Sequence, residues 1–343
     1  MIKIQNIYYM LAYTFQVLRK DSYKKIAVED FKYVEDLLAA ILAKGISSQI
    51  KRGLGREYTP CTESLSTPHG KINISESLKT GMIHKKQLVC EFDEFSENIY
   101  SNQIIKTTAM LLIRSHEVKL EHKKALKKVM LYFHTIDTLH PSSIQWTGIK
   151  YHSHSATYKM LINICYLVMN ALLPTIQAGS KKISQFKDEH LHRLFEKFVL
   201  AYYRKHYPAY NASASRIDWI VDDGVIDLLP TMQTDITLKY NEKILIIDTK
   251  YYGSTLQTHK LYNRHSIHSG NLYQIFAYVK NKDINRSGNV SGVLLYAKTD
   301  ETLTPNNHYV MSGNKISVKT LDLDKSFEGI ESQLNNLIHE WLA

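Results

Sequence analysis

The chain has 343 residues, a length sufficient for two domains with hydrophobic cores of their own. Its formal net charge of +10 at pH 7 favours a polyanionic partner. Three widely separated cysteines, the lack of a zinc-ligand pattern and the lack of a membrane-length apolar run exclude a disulfide-rich secreted domain and a membrane protein, and predict a cytoplasmic one.

The first half of the sequence predicts helices interrupted by a β-rich insert. Helical spacing of apolar residues predicts helices over residues 4–19, 28–45, 99–114, 118–132 and 158–173. Gly45 is expected to end the second of these helices. Between residues 46 and 95, short runs separated by turn-forming residues predict strands or protruding loops over 49–54, 71–74 and 87–92. This half is therefore an α+β domain.

The second half predicts a mixed sheet flanked by helices. Its predicted elements are a helix over 183–206, strands over 214–221, 231–240 and 243–250, a helix over 271–279, strands over 290–297 and 315–321, and a helix over 327–342. Pro174 and the following Gly179-Ser180-Lys181-Lys182 predict a domain boundary near residue 180. The predicted organisation is an α/β chain with domains 1–180 and 181–343.

The segment 231–250 predicts a β-hairpin that places two aspartates together. A two-residue turn at Asn241-Glu242 pairs Tyr240 with Lys243 and, continuing along the ladder, Asp235 with Asp248. Paired side chains lie about 5 Å apart at Cβ. Lys250 projects from the same face as Asp248 because alternate residues of a strand share a face. A three-residue turn would shift the register by one and separate the aspartates.

Two opposed carboxylates destabilise a sheet unless a cation lies between them. Mg²⁺ prefers one or two carboxylates with water and phosphate oxygens, and a neighbouring lysine can stabilise charge on a phosphate. Asp235, Asp248 and Lys250 therefore predict a magnesium site, with Mn²⁺ as the alternative ion. The competing interpretation is a surface hairpin with ordinary charges.

Three further residues are candidates for the same site. Glu196 lies beside the apolar stripe of the 183–206 helix and could supply a third carboxylate, although such a glutamate is usually solvated. Gln274 and Tyr278 share one helix face and could hold a phosphate or water, or could simply be a solvated glutamine and a packed tyrosine. The pair His190 and His192 is not expected to bind metal, because a spacing of two points helical side chains apart.

Several segments together resemble the McrC family, the nuclease subunit of McrBC-type restriction systems. The most telling are TDITLKYNEKILIIDTKYY at 234–252 and HSGNLYQIFAY at 268–278, supported by NIYYMLAY at 6–13, RGLGREY at 52–58 and LFEKFV at 194–199. The first two resemble the PD-(D/E)xK nuclease motif and the Q-x-x-x-Y element of RecB-type nucleases. Thr234 stands where that superfamily has proline, which is not a ligand.

The resemblance implies a role for each candidate residue. Asp235 and Asp248 match the metal-binding acids, Lys250 matches the catalytic lysine, and the Thr249 carbonyl is a further metal ligand in that fold. Glu196 matches the place of a supporting acid. The implied activity is metal-dependent cleavage of double-stranded DNA by a C-terminal PD-(D/E)xK domain that follows an N-terminal adaptor domain.

The resemblance also implies a partner, a McrB-like AAA+ GTPase hexamer. The adaptor domain of such a subunit docks onto the motor and stimulates GTP hydrolysis, two such subunits can meet in the full assembly, and recognition of 5-methylcytosine belongs to the motor. Lys51, Arg52 and Arg56 in the β-rich insert are the candidate docking residues; a DNA-facing or solvated loop is the alternative. Two other functions stay open, an adaptor of a AAA+ motor with secondary nuclease activity and a stand-alone RecB-like repair nuclease.

Overall fold

The computed structural model describes residues 2–149, 156–177, 181–251, 256–259, 264–298 and 304–342, and their side chains except those of 171–190 and 256–265. The chain divides into two compact units. The sheet unit comprises Met1–Val34 and Asn170–Ala343, and the insert unit comprises Glu35–Met169. Among the described helices, none combines the length and the apolar character that a membrane span requires.

The secondary structure of the described residues follows the chain in this order. The helices are α1 (Ile4–Thr14), α2 (Lys24–Val28), α3 (Val34–Ile50), α4 (Ile74–Lys79), α5 (Tyr100–Arg114), α6 (Leu120–Met130), α7 (Ala156–Gln177), α8 (Lys181–His206), α9 (Ser269–Lys282) and α10 (Phe327–Leu342). The strands are β1 (Glu57–Leu65), β2 (Lys71–Ile72), β3 (Leu88–Ser96), β4 (Arg216–Ile217), β5 (Met232–Gln233), β6 (Ile236–Tyr240), β7 (Lys243–Lys250), β8 (Leu256–His259), β9 (Arg264–Ile267), β10 (Val290–Ala297), β11 (Asn307–Met311) and β12 (Asn314–Leu321).

The insert unit contains a small antiparallel sheet in the order β1-β3-β2. The prediction that Gly45 ends its helix is wrong, since α3 continues to Ile50. A Cβ atom at Gly45 would lie 2.6 Å from Leu161 and 2.9 Å from Met160, both on α7. This glycine therefore permits close packing of two helices, and the strand or loop predicted over 49–54 is the end of α3 and the turn that follows.

The sheet unit contains a five-stranded mixed sheet in the order β11-β12-β10-β7-β6. The central strand β10 pairs in parallel with both β7 and β12, while β6 and β11 form antiparallel edges. The mixed sheet flanked by helices is confirmed. Its centre is parallel because β7 and β10 are nearly continuous apolar runs that can be buried on both faces.

Helix α9 packs closely on the face of the sheet from which Asp248 projects. A Cβ atom at Gly292 of β10 would lie 2.8 Å from both Ile275 and Val279 of α9, so only glycine allows this approach. The core beneath the helix includes Ile246, Leu294, Ile316 and Val318. This packing fixes the position of α9 relative to the end of β7.

The predicted domain division at residue 180 is wrong for residues 1–34, which belong to the sheet unit. The reason is aromatic packing of α1. The ring of Tyr13 lies 5.5 Å from that of Phe198 on α8, and the ring of Tyr9 stacks 4.5 Å from that of Phe327 on α10. Asn6 Nδ2 also donates a hydrogen bond of 2.7 Å to the Leu323 carbonyl.

The register predicted for the hairpin is confirmed. Strands β6 and β7 pair from Ile236 with Ile247 to Tyr240 with Lys243, around a two-residue turn in which Asn241 has a φ of 52°. The predicted strand over 231–240 is interrupted at residues 234–235. There the Thr234 amide donates to the Ser215 carbonyl, outside the β6–β7 ladder, so Asp235 lies one residue beyond the last pair.

A buried carboxylate in the sheet unit, Asp283, links the segment that follows α9 to the start of β12. Asp283, just after α9, accepts hydrogen bonds from Asn314 Nδ2 at 2.7 Å, from the Ser287 amide and hydroxyl at 2.9 and 2.8 Å, and from the Gly288 amide at 3.0 Å. Burial acts to raise the pKa of Asp283, but these hydrogen bonds together outweigh burial and lower the pKa to about 2.

Replacing Asp283 with alanine is expected to lower the free energy of unfolding by about 2–3 kcal/mol, because its hydrogen bonds are to a charged group. Since the folded-state pKa lies below the unfolded value, this contribution is complete above about pH 4 and is lost as the pH falls toward 2. Urea denaturation across this pH range measures both effects. The exposed Asp227 replaced by alanine is the control, and equal loss in both variants would contradict the assignment.

Candidate active site

Asp248 and Lys250 lie at the end of β7 and are both buried, with 1% and 8% of their surface exposed. The Lys250 ammonium lies 2.7 Å from Asp248 Oδ2. Among the described residues, Asp248 Oδ1 has no hydrogen-bond partner. A buried carboxylate oxygen without a partner carries a large desolvation cost, so this atom is suited to a ligand.

The electrostatics of Asp248 point in the same direction. Burial, together with the charges of Asp235 and Glu196, raises the pKa of Asp248 to about 7 against the lowering effect of Lys250. The buried Lys250 ammonium alone therefore does not supply enough positive charge to offset burial and the neighbouring carboxylates of Asp235 and Glu196. A divalent cation would favour the ionised form of Asp248.

Asp235 reaches the same strand end from β6. Its Oδ2 accepts hydrogen bonds from the Thr249 amide at 2.7 Å and from the Thr249 hydroxyl at 2.8 Å. The structure thus brings Asp235 and Asp248 to one place, as the register predicts, although the Asp235 carboxylate binds Thr249 and is not part of the regular ladder.

Helix α8 contributes two side chains that are four residues apart and therefore share a face, His192 and Glu196. His192 Nε2 lies 2.7 Å from the Thr249 carbonyl oxygen. Because a carbonyl only accepts, Nε2 carries the proton in this arrangement. Burial raises the pKa of Glu196, and the nearby Asp235 charge raises it further, while Lys197, Arg193 and Lys250 lower it.

Helix α9 supplies the other side of the site. Lys250 Nζ donates to Gln274 Oε1 at 3.0 Å, and Gln274 Nε2 donates to the Tyr278 hydroxyl at 2.8 Å. Burial raises the pKa of Tyr278, so its hydroxyl stays protonated. The chain of contacts runs Asp248, Lys250, Gln274, Tyr278, and it fixes the position of the ammonium.

These residues fit a hard divalent cation. Among the described residues, Asp248 Oδ1 is a buried acceptor without a partner, and Asp235 and Glu196 are near enough for their charges to raise the pKa of Asp248. The Thr249 carbonyl has a second lone pair beside its hydrogen bond from His192. His192 could itself bind a metal through Nε2 in its other tautomer. Carboxylate and carbonyl oxygens are the donors that Mg²⁺ and Mn²⁺ prefer.

Comparison with known proteins agrees with these features. Residues 3–297 match the family described as the McrBC 5-methylcytosine restriction system component. The chain belongs to this family. It is 27% identical over 346 residues to the type IV methyl-directed restriction enzyme EcoKMcrBC of Escherichia coli K12. The alignment covers 99% of this chain and 98% of that protein.

A solved structure supports the fold. The chain resembles one from a refined half-complex of a tetradecameric assembly of Thermococcus gammatolerans McrB AAA+ hexamers with bound McrC. The TM-score is 0.51 at 14% identity, over 98% of this chain and 75% of the other. The family resemblance and the mixed α/β fold inferred from the sequence motifs are thereby confirmed.

The predicted docking residues of this McrBC-family chain lie in the insert unit. Lys51 and Arg52 are exposed on the turn after α3. Arg56 instead pairs with Glu97, whose Oε1 accepts from Arg56 Nη2 at 2.7 Å and from Nε at 3.0 Å. Arg56 therefore joins the base of β1 to the end of β3, although half of its side chain remains exposed. Lys51 and Arg52 are exposed too, and among the described residues neither forms an ion pair.

His192 is the site residue that the sequence argument missed. The spacing of two between His190 and His192 argues against a joint metal site, but the informative spacing is the four residues between His192 and Glu196. That interval places both side chains on the face of α8 that approaches the end of β7.

Proposed function

We propose that this chain is the metal-dependent DNA endonuclease subunit of a McrBC-type restriction system, with a PD-(D/E)xK site. The observation that carries the proposal is the buried Asp248, with Oδ1 unpartnered among the described residues, beside the Lys250 ammonium at the strand end that Asp235 also reaches. Membership of the family supports a phosphodiester of DNA as the substrate of this arrangement.

A bound Mg²⁺ or Mn²⁺ would act as a Lewis acid on the phosphodiester and lower the pKa of an attacking water. Asp248, Asp235 and the Thr249 carbonyl would hold it, with His192 and Glu196 beside them. Lys250 would place its positive charge where the phosphate develops negative charge. Gln274 is oriented for this by Tyr278: its amide nitrogen donates to the phenol, which leaves its oxygen to accept from Lys250.

Glu196 suits a supporting acid–base role. Burial and the Asp235 charge raise its pKa above the ordinary value, so the proton affinity of this carboxylate is increased. A carboxylate with increased proton affinity is a better acceptor for a proton from water at neutral pH.

The partner is inferred to be a McrB-like AAA+ GTPase hexamer. Support comes from the Thermococcus gammatolerans neighbour, which is McrC bound to McrB AAA+ hexamers. In this proposal the chain acts in the cytoplasm on double-stranded DNA, and the motor selects the 5-methylcytosine. The insert unit docks onto the motor and stimulates GTP hydrolysis, and two copies of the chain can meet in a larger assembly.

Reconstitution tests the function. The chain, its AAA+ partner and GTP are incubated with methylated or unmethylated plasmid in Mg²⁺, and cleavage is followed on gels. Cleavage of methylated DNA only, and only with partner and GTP, is expected. Efficient cleavage of unmethylated DNA by the chain alone would instead indicate a stand-alone repair nuclease, and GTPase stimulation without cleavage would indicate an adaptor.

The docking assignment makes a separate prediction. Replacing both Lys51 and Arg52 with glutamate should weaken docking roughly tenfold or more. If these cations dock onto an acidic surface of the partner, the new glutamates would be repelled by it. GTP hydrolysis by the partner, measured against the concentration of this chain, reports the affinity. The control replaces the exposed Lys20 and Lys25 with glutamate; an equal effect of the two double variants would refute the assignment.

A further inference from the structure

Helix α6 of the insert unit carries a dense cluster of basic side chains on its outer face. Within Leu120–Met130 the four lysines are Lys123, Lys124, Lys127 and Lys128. The last three are exposed and Lys123 is half-buried. The opposite face is apolar and packed, with His122, Leu126 and Val129 buried. The lysines are therefore held in one direction by a helix that is anchored in a core.

The described residues do not neutralise this charge through ion pairs. Among the described residues none forms an ion pair with any of these four lysines. The helix has a single acidic residue, Glu121. Lys123 with Lys127, and Lys124 with Lys128, are like charges four residues apart, a spacing that destabilises a helix. The macrodipole favours Lys127 and Lys128 in the last turn but gives nothing to Lys123 and Lys124.

The pattern fits a linear polyanion better than a protein surface. Four charges over five residue steps give about one charge per 2.5 Å of helix axis, similar to the phosphate density of DNA, about one per 3.4 Å on each strand. Lysine is depleted at protein–protein interfaces. The exposed Leu120 lies before the lysine face and the exposed Leu131 and Tyr132 lie after it, at opposite ends of α6, so they do not form one continuous apolar patch.

We infer that the lysine face of α6 binds the phosphate backbone of double-stranded DNA, as a contact separate from the candidate active site. The inference rests on the proposed function only in taking DNA as the polyanion. Phosphate contacts of this kind add affinity without reading sequence. The face therefore holds DNA on the insert unit regardless of methylation.

Binding of the full chain to a fluorescent duplex, measured by anisotropy in EDTA over a series of salt concentrations, tests this inference. Replacing Lys124 and Lys128 with glutamine should weaken binding by roughly tenfold per lost contact at 0.1 M salt and reduce the salt slope by about 0.9 for each. Replacing all four lysines should reduce the slope further. Circular dichroism verifies folding.

The matched control replaces Lys79 and Lys85 with glutamine, since both are exposed and lie in the same unit. It should leave binding and slope near those of the wild type. Absence of duplex binding by the wild type, an unchanged slope in the α6 variants, or an equal loss in the control would overturn the inference. Unchanged duplex binding with reduced stimulation of the GTPase would assign the face to the motor and also overturn it. EDTA keeps this readout independent of cleavage, so a failed nuclease assignment is recognised separately.

Discussion

Replacing Asp248 with asparagine is expected to reduce DNA cleavage by about 10³-fold or more while stimulation of the partner GTPase is retained. The substitution keeps the shape of the side chain but removes the charge of the acceptor on which the site depends. Loss of one preorganised electrostatic group in an active site typically costs about 10²–10³ in rate, and loss of the metal removes Lewis-acid chemistry in addition. Cleavage of methylated plasmid and GTP hydrolysis are measured in the same reaction.

Asp227 replaced by asparagine is the matched control, because it makes the same chemical change at an exposed position. Retained GTPase stimulation in the Asp248 variant shows that the chain is folded and docked. Cleavage at the wild-type rate by Asp248→Asn would remove this residue from the mechanism.

Replacing Lys250 with glutamine is expected to lower the rate of cleavage by about 10²–10³-fold without weakening metal binding. The ammonium lies 2.7 Å from Asp248 Oδ2 and competes with a cation for that carboxylate. Its removal should therefore leave metal affinity unchanged or increase it. The two variants thus separate two roles: Asp248→Asn loses metal and cleavage, whereas Lys250→Gln loses cleavage only.

Lys239 lies on the neighbouring strand of the hairpin and is exposed, so Lys239→Gln is the control for the loss of one positive charge. It should retain the wild-type rate. Single-turnover rates at saturating partner distinguish a slower chemical step from weaker assembly. A Lys250→Gln variant that loses metal affinity together with cleavage would show that the lysine organises the metal ligands and does not act on the phosphate.

The local pattern of the sequence determines much of the candidate site. Alternation in β6, the apolar run of β7 and the two residues between them specify one register, and that register brings Asp235 and Asp248 to the same strand end. Apolar runs and helical periodicity also predict β10 and α10 with their observed bounds. These elements are predictable because local pattern and tertiary burial agree.

Features that depend on contacts distant in sequence are not predictable in this way. Gly45 looks like a helix terminus, but α7 packs against it and the helix continues. Residues 1–34 join the sheet unit through ring contacts of Tyr9 and Tyr13 with residues nearly 200 or more positions away. The spacing of four places His192 on the same face of α8 as Glu196, but its contact with the carbonyl of Thr249, on another element, cannot be read from the helix alone.

Direct titration of the chain with Mn²⁺ by calorimetry tests the central claim, that Asp248 with its neighbours forms a metal site. Wild-type chain and Asp227→Asn should bind, and Asp248→Asn should not. In parallel, the free energy of unfolding of the wild type should increase by about 1.4 kcal/mol for each tenfold increase in free metal concentration above Kd. Asp248→Asn should show no such increase. Equal Mn²⁺ affinity and equal stabilisation in wild type and Asp248→Asn would contradict the account.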